Sequence, residues 1–149
     1  MKKIAVVGTG LMGGAMALAL RDAGLNVVGY DVSQESVTQL RAQGVEATND
    51  LRKAVAEADA IVCSLPNSQI VRSALLSEGG VLEVAKPGAV LIEMSSIDPD
   101  TMKDVAKACA ARGLAALDVP VSGGPNEARA GTLVLLIGGE EADIARGQP

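Results

Sequence analysis

Two short stretches carry residue types able to do chemistry. The first, GTGLMGG from Gly8 to Gly14, is a Gly-x-Gly-x-x-Gly pattern between a β-branched run and a segment rich in small residues. In such a setting Gly8 permits a tight turn, and Gly10 lets the backbone approach a pyrophosphate. Gly13 lets a helix pack close to the strand, so that the turn through Thr9, Leu11 and Met12 aims its amides at the phosphates. Asp31 stands eighteen residues beyond Gly13, at the end of the run NVVGYD. A carboxylate there accepts hydrogen bonds from both hydroxyls of an adenosine ribose and repels a 2′-phosphate. Val32 and Ser33 supply no arginine to hold such a phosphate, so the combination points to NAD over NADP. The alternative role for Asp31 is a cap on the helix that follows.

The second stretch, DVPVSGGPNEARAGTLVLLIGG from Asp118 to Gly139, presents Ser122 beside Gly123 and Gly124 after an apolar run. A small polar loop of this kind suits a carboxylate or hydroxyl of a bound substrate. Ser122 is poorly placed to be a nucleophile: Pro120 stands where a Gly-x-Ser-x-Gly elbow needs glycine, and the chain has no histidine to activate a hydroxyl. None of the six lysines (2, 3, 53, 86, 103 and 107) follows the loop. The chain therefore offers no evident acid or base for a reaction there.

The elements that must position these residues alternate between strand and helix. IAVVG is a first strand, Leu11 to Ala23 a helix closed by Gly24, and NVVGYD a second strand. Ser33 caps a helix that Gly44 ends. A weak strand at Val45 to Ala47 precedes a small helix from Asp50 to Glu57, and AIVCSL is the fourth strand. A helix over Ser68 to Leu76 leads to the fifth strand, AVLIEM. Asp98-Pro99 then starts a helix with a capping carboxylate and proline at its first position. LAALDV is the sixth strand and TLVLLIGG a seventh, after which EEADIARGQP begins like another helix and stops without a cap. Continuous apolar runs mark strands buried on both faces of a parallel sheet. With helices between them, they predict an α/β doubly wound Rossmann-type sheet with helices on both faces. Ligands of such a sheet bind outside the carboxyl ends of the strands. That rim collects Gly8, Asp31, Leu65, Pro66 and Asn67, Ser95 and Ser96, and Ser122 to Gly124. In this geometry Leu65 and Pro66 wall a cofactor, Ser96 bonds near its nicotinamide end, and the serine–glycine–glycine loop holds substrate.

Composition narrows the class. At 149 residues the chain is about one domain, and with Tyr30 its only aromatic the core must be built from Val, Ile, Leu, Ala and Met. A net charge of −5 with no basic run excludes a nucleic-acid surface. Cys63 and Cys109 read as reduced, buried thiols, and no Cys/His cluster offers a metal site. The start of the chain resembles a secretory signal, but glycines at 8, 10, 13 and 14 interrupt its apolar run. No stretch reaches the ~20 apolar residues of a membrane span. A soluble, cytoplasmic protein is the expectation.

GTGLMGGAMALAL, the LPN at Leu65, the MSSIDP at Met94 and above all DVPVSGGPNEARAGTL resemble the β-hydroxyacid dehydrogenases, over essentially the whole chain. That family includes 3-hydroxyisobutyrate dehydrogenase and tartronate semialdehyde reductase, and is related to 6-phosphogluconate dehydrogenase. The resemblance implies NAD at Leu65, Pro66 and Ser96, and a small hydroxy acid at Ser122, Gly123 and Gly124. Ser96 replaces the more usual threonine and keeps its hydroxyl. Gly131, Thr132 and Leu133 differ from the Gly-Pro-Ser of the 6-phosphogluconate enzymes, which argues against a sugar phosphate. The resemblance also implies a catalytic lysine within G-x-x-G-x-G-x-x-x-K-x-x-x-N, leading into an all-helical domain that makes the oligomer contacts. No such motif occurs here, so residues 1–149 are expected to be a cofactor-binding domain whose lysine lies beyond Pro149, inactive alone. An imine reductase-like enzyme and a non-catalytic NAD-binding module are the alternatives.

Overall fold

The computed structural model describes residues 3–148. Met1 and Lys2, which open the signal-like stretch, and Pro149 lie outside the described residues. From β1 (Ile4–Val7) the chain runs through α1 (Leu11–Asp22), β2 (Val27–Tyr30), α2 (Gln34–Ala42), β3 (Glu46–Thr48) and α3 (Leu51–Val55). It continues through β4 (Ala60–Cys63), α4 (Ser68–Leu76), α5 (Val81–Val84), β5 (Val90–Glu93), α6 (Pro99–Ala111) and β6 (Ala115–Asp118). These six strands form one parallel sheet in the order β3-β2-β1-β4-β5-β6. The expected doubly wound fold is present.

Each strand is buried on both faces because alternate residues enter different cores. On one face Ala5, Val7, Ile61, Cys63 and Leu91 pack against Val71 and Leu75 of α4 and Val105 and Cys109 of α6. On the other, Ile4, Val6, Ala60 and Val62 pack against Ala15, Met16 and Leu18 of α1 and Val37 and Leu40 of α2. This explains the unbroken apolar runs. Helix starts follow local chemistry: Ser33, Asp50, Asn67 and Asp98 each accept an amide from the first turn of the helix they precede. Cys63 and Cys109 are free and buried.

Register aligns one row across the carboxyl rim: Thr48, Tyr30, Val7, Cys63, Glu93 and Asp118 pair in sequence from β3 to β6. The candidate residues sit one or more steps beyond that row. Three of the lysines lie at the opposite end. Lys3 precedes β1, its Nζ donating to Lys53 O, while Lys53 pairs with Glu46 at the start of β3. Lys86 pairs with Asp59, just before β4.

The expected seventh strand is corrected. Thr132 to Gly139 does not join the parallel sheet; β8 (Val134–Leu135) pairs antiparallel with β7 (Val121–Ser122) in a separate ribbon, the chain turning through α7 (Pro125–Ala130) between them. A further antiparallel bridge joins Asp118 to Gly138. Pro120 turns the chain out of β6, and its carbonyl accepts the Leu136 amide. Val134, Leu135, Leu136 and Ile137 remain exposed, so this apolar run is not a strand buried on two faces. The final segment forms α8 (Glu141–Gly147), tied to the sheet by Arg146 donating to Gly88 O at 2.7 Å.

Leu91 is fully buried in the central part of the sheet. Leu91→Ala is expected to cost about 2–5 kcal/mol of unfolding free energy, seen as a lower urea midpoint with an unchanged slope. A cost near zero would place β5 at a sheet edge.

Candidate functional site

The glycine turn is built around one backbone contact. Gly8 adopts φ +87° at the end of β1 and donates its amide to Tyr30 O. A Cβ on Gly13 would lie 1.7 Å from Gly8 O, so even alanine would push the helix off the strand. Gly10 differs: its φ of −68° is ordinary, and an added Cβ would meet no atom within 4 Å. The protein's own packing therefore does not require glycine there. A side chain would instead stand in the open space over the turn. From Gly10, α1 starts with no capping side chain and no acidic residue in its first turn. Its leading amides and the positive end of its dipole are left for an anion. These features fit the pyrophosphate of a dinucleotide.

Asp31 is held rather than merely exposed. Its Oδ2 accepts the Thr9 amide at 2.8 Å, and its Oδ1 accepts the Ser33 amide at 2.8 Å. Oδ2 also accepts the Thr9 hydroxyl at 3.4 Å. A carboxylate offers about four acceptor sites, so one on Oδ1 stays open for a ligand hydroxyl. The Ser33 amide contact closes the turn before α2, whose cap is Ser33 itself, and the Thr9 contacts tie the end of β2 to the glycine turn. Val32 is exposed beside it, and no basic side chain bonds to Asp31.

One groove of about 490 Å³ gathers Gly8, Gly10, Leu11, Met12, Gly13 and Asp31 with Leu65 and Pro66, adding Val32, Ser64 and Ile70. A neighbouring cavity of about 340 Å³ continues past Asp31 over Tyr30, Leu51 and Ser73. Thr9 is buried, bonded through its amide to Asp31. The other expected residues lie outside that groove. Asn67 caps α4, its side chain accepting the Ile70 amide at 2.9 Å. Ser96 is exposed after β5.

Ser122 sits exposed in β7, and Gly123 turns at φ +127°. The Gly124 amide is already taken, donating to Glu127 Oε2 at 2.8 Å. That bond holds the Glu127 carboxyl below its ordinary range. The loop therefore presents the Ser122 hydroxyl and the Gly123 amide, a smaller donor set than its sequence indicates.

Sequence reasoning missed Glu93 and the role of Ser95. Glu93 is fully buried, its Oε1 accepting the Ser95 amide at 2.8 Å, and Ser95 Oγ accepts the Leu65 amide at 2.8 Å. Burial pushes the Glu93 carboxyl up, the Ser95 hydrogen bonds oppose that, and Asp118 adds to it. The only signal was a charged letter inside an apolar strand.

Among the described residues no helix is long and apolar enough to cross a membrane, and no cluster of metal-ligating side chains occurs. A family model for the NAD-binding domain of 6-phosphogluconate dehydrogenase matches residues 3–149. The chain is 40% identical to 2-(hydroxymethyl)glutarate dehydrogenase of Eubacterium barkeri, covering 99% of this chain and 49% of that protein. It is 40% identical to the NAD-dependent L-serine dehydrogenase of Pseudomonas aeruginosa, covering 100% and 50%. The solved 3-hydroxyisobutyrate dehydrogenase of Mycobacterium tuberculosis with L-serine superposes at a TM-score of 0.93 and 35% identity, covering 100% and 50%. The chain thus spans about half the length of these relatives.

A carboxyl whose pKa is higher in the folded than in the unfolded chain binds more protons when folded. Its contribution therefore declines as pH rises from the ordinary value of 4.5 toward the raised one. Glu93→Gln cannot titrate. The wild-type minus variant unfolding free energy is expected to fall as pH rises above the ordinary carboxyl value; a difference that stays constant or rises would contradict a raised Glu93.

Proposed function

The chain belongs to the family of the NAD-binding domain of 6-phosphogluconate dehydrogenase, and from that premise we propose that it forms the cofactor-binding half of an NAD-dependent oxidoreductase acting on small 3-hydroxy acids. The observation that carries this reading is Asp31, fixed by two amides at the carboxyl end of β2 with an acceptor site open on Oδ1. Gly8, Gly10 and Gly13 would cradle the pyrophosphate against the first turn of α1. Asp31 would accept the adenosine ribose hydroxyls, and Leu65 and Pro66 would wall the groove. Ser96 would hydrogen-bond toward the nicotinamide end.

Bound NAD would supply the hydride acceptor. Ser122 and Gly123 would bind the carboxylate of the acid, with Gly124 shaping their turn. 2-(Hydroxymethyl)glutarate, L-serine and 3-hydroxyisobutyrate each carry a CH2OH group on the carbon that bears a carboxylate. They differ in that carbon's other substituent, which supports a substrate of the form HOCH2–CHR–COO⁻. The hydroxyl proton needs an acceptor, and general base help of that kind is worth about 10²–10⁴ in rate. With lysines 3, 53 and 86 at the far end of the sheet, the reading takes that base to be a lysine from polypeptide outside these residues. The same further region would make the subunit contacts of a homo-oligomer.

Calorimetric titration of the chain tests the cofactor half. NAD is expected to bind at least about tenfold tighter than NADP, or ~1.4 kcal/mol, and Asp31→Ala to shrink that gap to about threefold or less. Equal affinities in the wild type would overturn the assignment of Asp31. For the reaction, NADH absorbance is followed in the protein carrying this chain, with L-serine and 3-hydroxyisobutyrate as substrates. Failure of every HOCH2–CHR–COO⁻ acid to yield NADH would end the oxidoreductase reading.

A further inference from the structure

Glu93 takes no part in the chemistry above, yet the sheet holds it fully buried at the end of β5. Removing a carboxyl from water costs free energy that a few contacts only partly offset. An apolar residue would fill the same place without that cost, as Val90 and Leu91 do on the same strand. What an apolar residue cannot do is accept the Ser95 amide. That bond orients Ser95, whose Oγ accepts the amide of Leu65, thirty residues away in sequence. Paired registers between β4 and β5 end at Cys63 and Glu93, with one further bond from the Met94 amide to Cys63 O. Beyond that point the Ser95–Leu65 bond ties the two loops together. Leu65 in turn lies close over the glycine turn: a Cβ on Gly8 would come within 2.9 Å of Leu65 Cδ2.

We propose that Glu93 is a positioning residue for the cofactor, fixing through Ser95 the Leu65–Pro66 wall of the dinucleotide groove. The inference rests on the NAD reading of that groove. The titratable groups facing Glu93 are Cys63 on β4, Asp118 on β6 and Cys109 on α6. Burial holds the Cys63 thiol well above its ordinary value and pushes Cys109 up to about 12, so both thiols stay neutral beside Glu93. Arginine and lysine are absent from this set, and Glu93 Oε2 has no hydrogen-bond partner. The side chain thus works through one oxygen, the Oε1 that faces Ser95. Glutamine can present the same oxygen, and leucine cannot.

The chain is titrated with NAD by calorimetry as wild type, Glu93→Gln, Glu93→Leu, Ser95→Ala and the Glu93→Leu/Ser95→Ala double variant. Circular dichroism checks folding at the assay temperature. Loss of one relay bond is expected to weaken NAD about tenfold in Glu93→Leu and in Ser95→Ala. The double variant should be no weaker than the worse single one, because the two residues act in series. Glu93→Gln should stay within about threefold of wild type. Hydrogen exchange at the Leu65 amide should speed up in Glu93→Leu and return to the wild-type rate in Glu93→Gln, a change that a general loss of stability would not confine to that amide. Wild-type affinity in a folded Glu93→Leu, or effects that multiply in the double variant, would overturn the proposal. Where Glu93→Leu fails to fold, wild-type affinity in Ser95→Ala overturns it equally. A wild-type chain that binds no NAD would sink the cofactor reading itself, which is a different result.

Discussion

A Cβ on Gly13 would lie 1.7 Å from the Gly8 carbonyl, so α1 reaches the end of β1 only because its first turn carries no side chain there. Most of the site follows from that approach. It aims the uncapped start of α1 at the space above the sheet's switch point, between β1 and β4. It also brings the Thr9 amide to Asp31 at 2.8 Å, which joins the Gly8–Tyr30 backbone bond in setting the turn against the end of β2. Gly29 permits a matching approach from the other side, since a Cβ on it would meet Leu40 Cδ2 at 2.6 Å and Thr9 Cγ2 at 2.9 Å. The core without phenylalanine or tryptophan belongs to the same design. Thin layers of Val, Ala and Leu let helices lie close to a sheet whose strands are covered on both faces.

Most of the six parallel strands were legible as apolar runs bounded by glycine, proline or a capping residue, signals that are local; β3 was weak, and β6 has no β-branched residue. Capping at Ser33 and Asp98 was local too; Asn67, read as a ligand residue, also caps α4 through its side-chain oxygen on the Ile70 amide. The run from Thr132 to Gly139 was misread because an apolar run is ambiguous between a covered strand and an uncovered ribbon. Which one forms depends on what packs against it, and among the described residues Val134 to Ile137 stay exposed. The short helices α5 and α7 left too few turns for a period to show. Glu93 lay in plain view in AVLIEM, but a strand buried on both faces has no alternation to say whether a charged letter points inward.

Three carboxylates near the rim take different states from their surroundings. Asp31 is held by two amides and the Thr9 hydroxyl, with an acceptor site left on Oδ1 for a ligand. Glu127 is held below its ordinary range by the Gly124 amide and shapes the turn after β7. Glu93 is raised by burial and faces one serine. Sequence assigns all three the same chemistry; burial and amide count separate them.

The same accounting bears on where the proton of the proposed reaction goes. Glu127 removes one amide from the serine–glycine–glycine turn and places a negative charge beside it, so the turn is a weaker anion site than three free donors would make. The Ser122 hydroxyl can orient a substrate, but with no histidine in the chain it has no partner to draw its proton away. Glu93, the one carboxylic acid with a raised pKa near this rim among the described residues, is buried at the end of β5 and bonded to Ser95. Among the described residues Lys3, Lys53 and Lys86 lie at the far end of the sheet, Lys103 pairs with Asp100 on α6, and Glu127 and Glu93 hold loops. A neutral amine supplied from outside these residues would accept the hydroxyl proton and, once protonated, bring a positive charge to the carboxylate site that Glu127 weakens. A lysine would meet both requirements in turn, which is what the proposed reaction asks of polypeptide outside these residues.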